Sequence, residues 1–291
     1  MLCAACKTPP PVIEDTETAP GLRLVYERIE GSGINQVVLY YHFKAENPRS
    51  ASMNLNIQNW SILINGFEID HHFAVLKNNN AAFSGLSTTL AVGKTYETDF
   101  ELHLDLDAII NAIRVLSDKG ITQADDSDTF VVELVLDVSC QYGTEPPISG
   151  HARATSEFPR IREPEFSIRS IAILQAELIN TRFAVTLRID NPNPFPVTLS
   201  SFKYELYGHG MYWAEGREQD ILVIPAKNSA ETKLFLMMNF INMKRKLLDE
   251  IIAMREVSYR FTGSAEVETG ISWLPRFSMK FDKKGLSEVL K

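Results

Sequence analysis

Apolar and polar residues alternate with a period of two along most of this chain, and the alternation comes in two matching series. In the first, Leu39, Tyr41, Phe43 and Ala45 lead into Glu46-Asn47-Pro48. In the second, Phe183, Val185, Leu187 and Ile189 lead into Asp190-Asn191-Pro192-Asn193-Pro194-Phe195-Pro196-Val197-Thr198-Leu199. A period of two marks strands with one buried face. Asn191 stands 144 positions after Asn47, and the same offset sets Trp60 on Tyr204 and Asn65-Gly66 on His209-Gly210. A repeat of this length predicts a duplicated domain, because a unit of about 130 residues can bury its own core.

Copy one is expected over residues 22–160, with strands from Val37 to Ala45, Leu55 to Ile64, Phe100 to Leu106 and Phe130 to Ser139. Asn65-Gly66 between apolar runs predicts a hairpin, since a type I′ turn needs positive φ at both central residues. One helix interrupts the strands: Asp107 is its expected N-cap, Ile109, Ile110, Ile113 and Leu116 form the apolar stripe, and Gly120 ends it.

Copy two, expected over residues 164–291, repeats the order. Its strands run from Phe183 to Ile189, Phe202 to Leu206, Ile221 to Ile224, Thr232 to Phe240, Ser258 to Val267 and Phe277 to Phe281. A turn is expected at Gly208-His209-Gly210, and a helix from Met243 to Met254 carries Leu247, Leu248, Ile251 and Ile252. Phe100 and Leu102 match Leu234 and Leu236 at an offset of 134, so copy one holds about ten extra residues after its hairpin, with Asn78-Asn79-Asn80 among them. Short strands with frequent turns and one helix per copy predict an all-β protein of two tandem antiparallel β-sandwiches, each with one α-helix at an open end.

The run Asn191-Pro192-Asn193-Pro194-Phe195-Pro196 carries a resemblance that continues through Ile224-Pro225-Ala226-Lys227-Asn228-Ser229, the helix near Leu247 and Tyr259-Arg260-Phe261-Thr262-Gly263. It resembles the water-stress and hypersensitive-response (WHy) domain of the late-embryogenesis-abundant group-two proteins, over nearly all of copy two. Copy one keeps Asn47-Pro48, replaces the second Asn-Pro with Arg49-Ser50, and has Ala91-Val92-Gly93 in place of the Ile-Pro-Ala run. The resemblance implies fibronectin- or immunoglobulin-like sandwiches with no known enzymatic activity and an association with desiccation and stress protection. Among bacterial members it implies export or a lipid anchor. The motif also has a backbone reason. Pro192, Pro194 and Pro196 donate no hydrogen bond and force their predecessors out of the helical region, while Asn191 and Asn193 can bond nearby backbone, so all serve as scaffold.

The net charge of −8 argues against nucleic acid as a partner, since phosphate binding needs a concentrated basic face. No stretch approaches the ~20 apolar residues of a membrane-spanning helix. Ala4-Ala5-Cys6 resembles the end of a bacterial lipobox, which makes Cys6 the expected lipidation site. Lys7 to Gly21, with Pro9, Pro10, Pro11 and Pro20, reads as a spacer reaching roughly 45 Å at ~3.1 Å per residue. The charged and apolar regions of a signal peptide do not precede Cys6, so this reading puts the true start upstream of Met1. It places the protein lipid-anchored in the bacterial cell envelope. With Met1 as the true start it is cytoplasmic.

Several residue groups are weighed as sites. Tyr212 and Trp213, with Tyr207 and Met211 around the Gly208-His209-Gly210 turn, form a candidate stacking platform for sugar or peptide. Lys244, Arg245 and Lys246 fall in the first turn of the second helix, where positive charge opposes the macrodipole, and are a candidate contact for anionic lipid or an acidic partner. Glu101, His103, Asp105 and Asp107 share one strand face and could gather a cation, but the spacing equally describes a solvated face. Asp70-His71-His72 and Asp125-Asp126-Ser127-Asp128 lack the further ligands of a metal site. Cys140 is expected to be a buried apolar residue. No catalytic, metal or cofactor signature is present.

These observations favour a non-enzymatic, membrane-tethered binding or stress-protection protein whose ligand is a protein, lipid or glycan. One alternative is a surface adhesin or carbohydrate-binding lipoprotein using the turn near Trp213. Another is a metal-dependent hydrolase using the His103 face.

Overall fold

The period-two runs are strands with one face buried. The computed structural model describes residues 21–118, 127–175, 180–218, 221–239 and 256–290. The chain divides into two units, Met1–Arg160 and Ile161–Lys291.

In the first unit, one sheet is ordered β1 (Leu22–Gly31), β2 (Gln36–Glu46), β8 (Thr95–Asp105), β5 (Ala74–Asn78) and β6 (Ala81–Ala82). The other is ordered β10 (Ile148–Pro159), β9 (Thr129–Tyr142), β3 (Met53–Ile64) and β4 (Phe67–Glu68), with β7 (Leu86–Leu90) also on β3. Leu39, Tyr41, Phe43 and Ala45 of β2 are fully buried, as are Val132, Leu134 and Leu136 of β9. At roughly 1.5–3 kcal/mol for each large side chain removed from water, these two inward rows dominate the unit's stability. The buried Tyr41 hydroxyl meets Ser156 Oγ at 3.2 Å, and Ser156 donates to the carbonyl of Val132, so this polar pair in the core is satisfied.

Asn65 and Gly66 take φ of 51° and 82° between β3 and β4, as the predicted turn requires. The helix α1 (Leu106–Asp118) buries Leu106, Ile109 and Ile113. Its N-cap is Asp105, whose Oδ1 accepts the Ala108 N–H at 3.0 Å. Asp107, the expected cap, lies inside the first turn and instead accepts from Asn35 Nδ2 at 2.5 Å. The cap falls at Asp105 because Leu106 is already helical, which leaves the Ala108 N–H without a helical acceptor and in reach of the side chain three positions before it. The expected stop at Gly120 lies outside the described residues.

The second unit comprises β11 (Glu165–Gln175), β12 (Asn180–Asp190), β13 (Val197–Gly208), β14 (Met211–Glu218), β15 (Leu222–Ile224), β16 (Ser229–Asn239), β17 (Glu256–Ile271) and β18 (Leu274–Leu290). They are ordered β14-β13-β17-β18-β11-β12-β16, with β15 on β13. This one sheet folds over on itself: Phe166 of β11 stacks on Phe202 of β13 at 5.7 Å, and Phe183 of β12 on Trp213 of β14 at 5.8 Å. The sheets are antiparallel as expected apart from one short pairing, in which β11 and β18 run parallel from Ser170↔Glu288 to Ala172↔Leu290. The two layers meet there, and the strands ending each layer run in the same direction.

The registers of the two units correspond. Met53 pairs with Leu90 as Val197 pairs with Ile224, and Glu46 with Thr95 as Asp190 with Ser229. The offset falls from 144 to 134 because residues between Gly66 and β7 build β5, β6 and a 3-10 turn at His71–Phe73, with Asn79 and Asn80 at positive φ joining β5 to β6. In the first unit β5 therefore lies on the outer edge of β8, pairing Ala74 with Leu104 through Asn78 with Phe100. Among the described residues no strand pairs with the corresponding edge of β16, where Phe235 and Met237 are 69% and 56% exposed. The expected second helix lies outside the described residues.

Candidate functional site

Where β12 ends, Asn191 leaves the strand and its side chain turns back on the chain. Its Nδ2 donates to the carbonyls of Phe195 at 2.8 Å, Ile224 at 3.3 Å and Pro225 at 3.1 Å, and its Oδ1 accepts the Asn193 N–H at 3.0 Å. Asn193, with no exposed surface, donates to the Arg162 carbonyl at 2.8 Å and accepts the Arg162 N–H at 2.7 Å. In the first unit Asn47 does the same. Its Nδ2 reaches the carbonyls of Ala51, Leu90 and Ala91, and its Oδ1 accepts the Arg49 N–H. Each asparagine ties three chain segments together, and its buried amide is fully used.

The hairpin of β13 and β14 holds the polar surface with the clearest organisation. His209 and Gly210 alone make its turn, at φ of 48° and 76°, and Met211 onward is strand. Tyr212 is 48% exposed but Trp213 is 4% exposed, stacked on Phe183 and laid over Gly208, where a Cβ would sit 2.0 Å from the indole. The expected platform of Tyr212 and Trp213 is therefore not formed, because the two side chains leave the strand on opposite faces. The outward aromatic pair is Tyr207 and Tyr212, with ring centroids 5.7 Å apart.

A register shift at Leu206/Tyr207 moves the rest of the hairpin by one position, so that Glu205 faces Glu215 and Lys203 faces Arg217. Both are like-charge pairs on the exposed face. Ser264 and Lys280 extend the basic row across β17 and β18, and Thr262 and Asp282 extend the acidic one. Between the rows lies an open groove of about 670 Å³, floored by the backbone of Tyr204, Gly216 and Gly263. The carboxylates have partners on the side away from the basic row. The Tyr207 hydroxyl donates to Glu205 at 2.7 Å, Tyr212 is hydrogen-bonded to Glu215, and Arg260 donates twice to Asp282 at 2.8 and 2.6 Å. Hydrogen bonding to Glu205 raises the Tyr207 pKa, burial followed by the Glu215 charge raises that of Tyr212, and the Arg260 hydrogen bond lowers that of Asp282. Lys203, Arg217 and Lys280 make no hydrogen bond or ion pair among the described residues. The bulge that creates these pairs was not foreseen, and without it Lys203 would face Gly216.

The remaining groups are dispersed. His103 Nε2 lies 3.1 Å from Glu101, while Asp105 and Asp107 are used by α1 and Asn35. Asp70 binds the His72 N–H and ring, and the backbone bond first lowers its pKa; His71 stacks on Trp60 at 4.1 Å. Among the described residues no three His, Cys, Asp or Glu side chains are placed to hold a metal. Cys140 is buried and free, and burial raises its thiol pKa. Ser127 and Asp128 enter β9, whereas Asp125 and Asp126 lie outside the described residues, as do Cys6 and the Lys244, Arg245, Lys246 cluster. Among the described residues no helix is long and apolar enough to cross a membrane.

The family model for late embryogenesis abundant proteins matches residues 186–285, from within β12 into β18. No curated protein matches the chain. Among solved structures, a protein from Archaeoglobus fulgidus is similar at 13% identity over 44% of this chain and 96% of its own, with a TM-score of 0.27. A protein from Arabidopsis thaliana solved in solution is similar at 12% identity over 46% of this chain and 86% of its own, with a TM-score of 0.35. A Bacteroides uniformis beta-glucuronidase is similar at 9% identity over 86% of this chain and 26% of its own, with a TM-score of 0.26.

Proposed function

We propose that this protein is a non-enzymatic binding or stress-protection module made of two copies of one late-embryogenesis-abundant-type sandwich, held at a bacterial membrane by a lipid on Cys6. The observation that carries the reading is the asparagine clamp. The family match covers the Asn191 motif, and Asn47 makes the same set of bonds in the unit that the match does not reach. The Asn191 and Asn47 amides bind backbone groups, and Asn193 adds a side-chain bond to Asn191 Oδ1, which is scaffold chemistry rather than catalysis. The Pro-rich segment up to Gly21 supplies the tether.

Two measurements test this. With the natural upstream codons restored, labelled fatty acid enters the protein and is lost on Cys6→Ser; labelling that persists in the variant removes the anchor. Dried together with a desiccation-sensitive enzyme, residues 21–291 preserve more activity than an equal mass of albumin. Equal or lower recovery removes the protective role.

A further inference from the structure

We propose that the outer face of the β13–β14 hairpin binds a zwitterion carrying a tetrahedral oxyanion and an ammonium, of the phosphoethanolamine or phosphocholine class. Like charges directly opposite across strands are unfavourable, and this hairpin has two such pairs side by side, Lys203 with Arg217 and Glu205 with Glu215. Exchanging Glu215 and Arg217 would turn both into opposite-charge pairs with no change in composition. A local rule broken twice at one place, on a surface where almost any polar residue suits the fold, points to a ligand.

The arrangement also says which ligand. The rows stand two residues apart along each strand, about 6.8 Å, with glycine and backbone between them. Lys203, Arg217 and Lys280 have no partner among the described residues and, with the Ser264 hydroxyl, can surround an oxyanion. Across the groove, Glu205 and Glu215 are fixed by Tyr207 and Tyr212 and retain free lone pairs for an ammonium, with two aromatic rings beyond them. A plain anion would face the acidic wall and a plain cation the basic one, so only a molecule with both charges satisfies both rows. The inference rests on neither the tether nor the protective role.

Titration of the full chain with phosphoethanolamine, inorganic phosphate and ethanolamine at low salt tests it, with phosphatidylethanolamine vesicles as a second arm that separates a lipid headgroup from a free metabolite. The zwitterion, free or in the vesicle, is expected to bind at least about tenfold more tightly than phosphate or ethanolamine alone. The double exchange E215R/R217E is expected to abolish that binding while raising the melting temperature. The milder K203Q/E205Q, which leaves the His209-Gly210 turn and the core untouched, is expected to weaken it by about tenfold. No saturable binding up to about 10 mM, equal binding of the three solutes, or binding that survives E215R/R217E would overturn the proposal.

Discussion

Asn47 and Asn191 grip their chains in the same way, 144 positions apart: each amide donates to the carbonyl four residues ahead and to two consecutive carbonyls at the end of a short strand, β7 or β15, that pairs with the next long one. Both are 2% exposed, so none of these bonds can be replaced by water without opening the sandwich. Asn191→Ala leaves three carbonyls without a donor and is expected to cost roughly 2–4 kcal/mol in chemical denaturation, with Asn47→Ala similar. Asn191→Asp, which turns a donor into an anion facing carbonyls, should be worse than alanine. A loss below about 0.5 kcal/mol would show that the clamp is incidental.

Where the chain is cut should matter over only three residues. Ile161 is buried, and Arg162 exchanges two backbone bonds with Asn193. Residues 22–160 and 161–291 are expected to fold separately as β-rich, cooperative fragments. A second fragment starting at 164 should melt lower than one starting at 161, because Asn193 then loses both Arg162 bonds. If neither fragment folds, the two units share one core.

Glycine under an aromatic ring is a packing requirement in the second unit. A Cβ on Gly263 would lie 2.0 Å from the Lys203 carbonyl oxygen and 2.6 Å from the Phe281 ring. Gly263→Ala should therefore cost roughly 1–3 kcal/mol or more by overpacking, as should Gly208→Ala beneath Trp213. Leu187→Ala, a cavity at a fully buried position, is expected to cost roughly 2–5 kcal/mol. Urea midpoints unchanged in these variants would contradict the packing.

Alkali provides a further measurement. Burial, aided by the Glu218 charge, pushes the Tyr204 pKa up to about 12 from 10.0. The folded state thus holds this proton more tightly than the unfolded one. The contribution is complete below pH 10 and is lost as pH rises through 12. Stability of the second unit should fall across that window, and Tyr204→Phe should flatten the decline. An equally steep decline in the variant would assign it to other groups of the same unit, with Tyr207 and Tyr212, also raised, next in line.

Much of this fold was legible because β2, β3, β12 and β13 alternate large apolar residues with polar ones, and the alternation reports the buried face. β10 was not, since its inward residues Ala152, Ala154 and Ser156 are too small to stand out. β14 was not either, because Trp213 and Ala214 are buried in succession at the register shift. The same shift hid the charged groove. Lys203 and Arg217 are polar residues like any others until the bulge sets them opposite each other. The asparagine motif could be recognised from sequence, but its equivalence in bonds depends on where Leu90-Ala91 and Ile224-Pro225 fold back, which no local pattern encodes.

The β5–β6 hairpin of the first unit has a meaning for the colloidal behaviour of the protein. It caps the border of β8, while the border of β16 is unpaired among the described residues and exposes Phe235 and Met237 on the same face as Glu231 and Lys233. Such borders recruit strands from neighbouring molecules, and they do so most readily when water is withdrawn and molecules crowd together. Among the described residues, the first unit covers this border with a strand and the second guards it with side-chain charge alone. Self-association on concentration is therefore expected to begin at the β16 border rather than at that of β8.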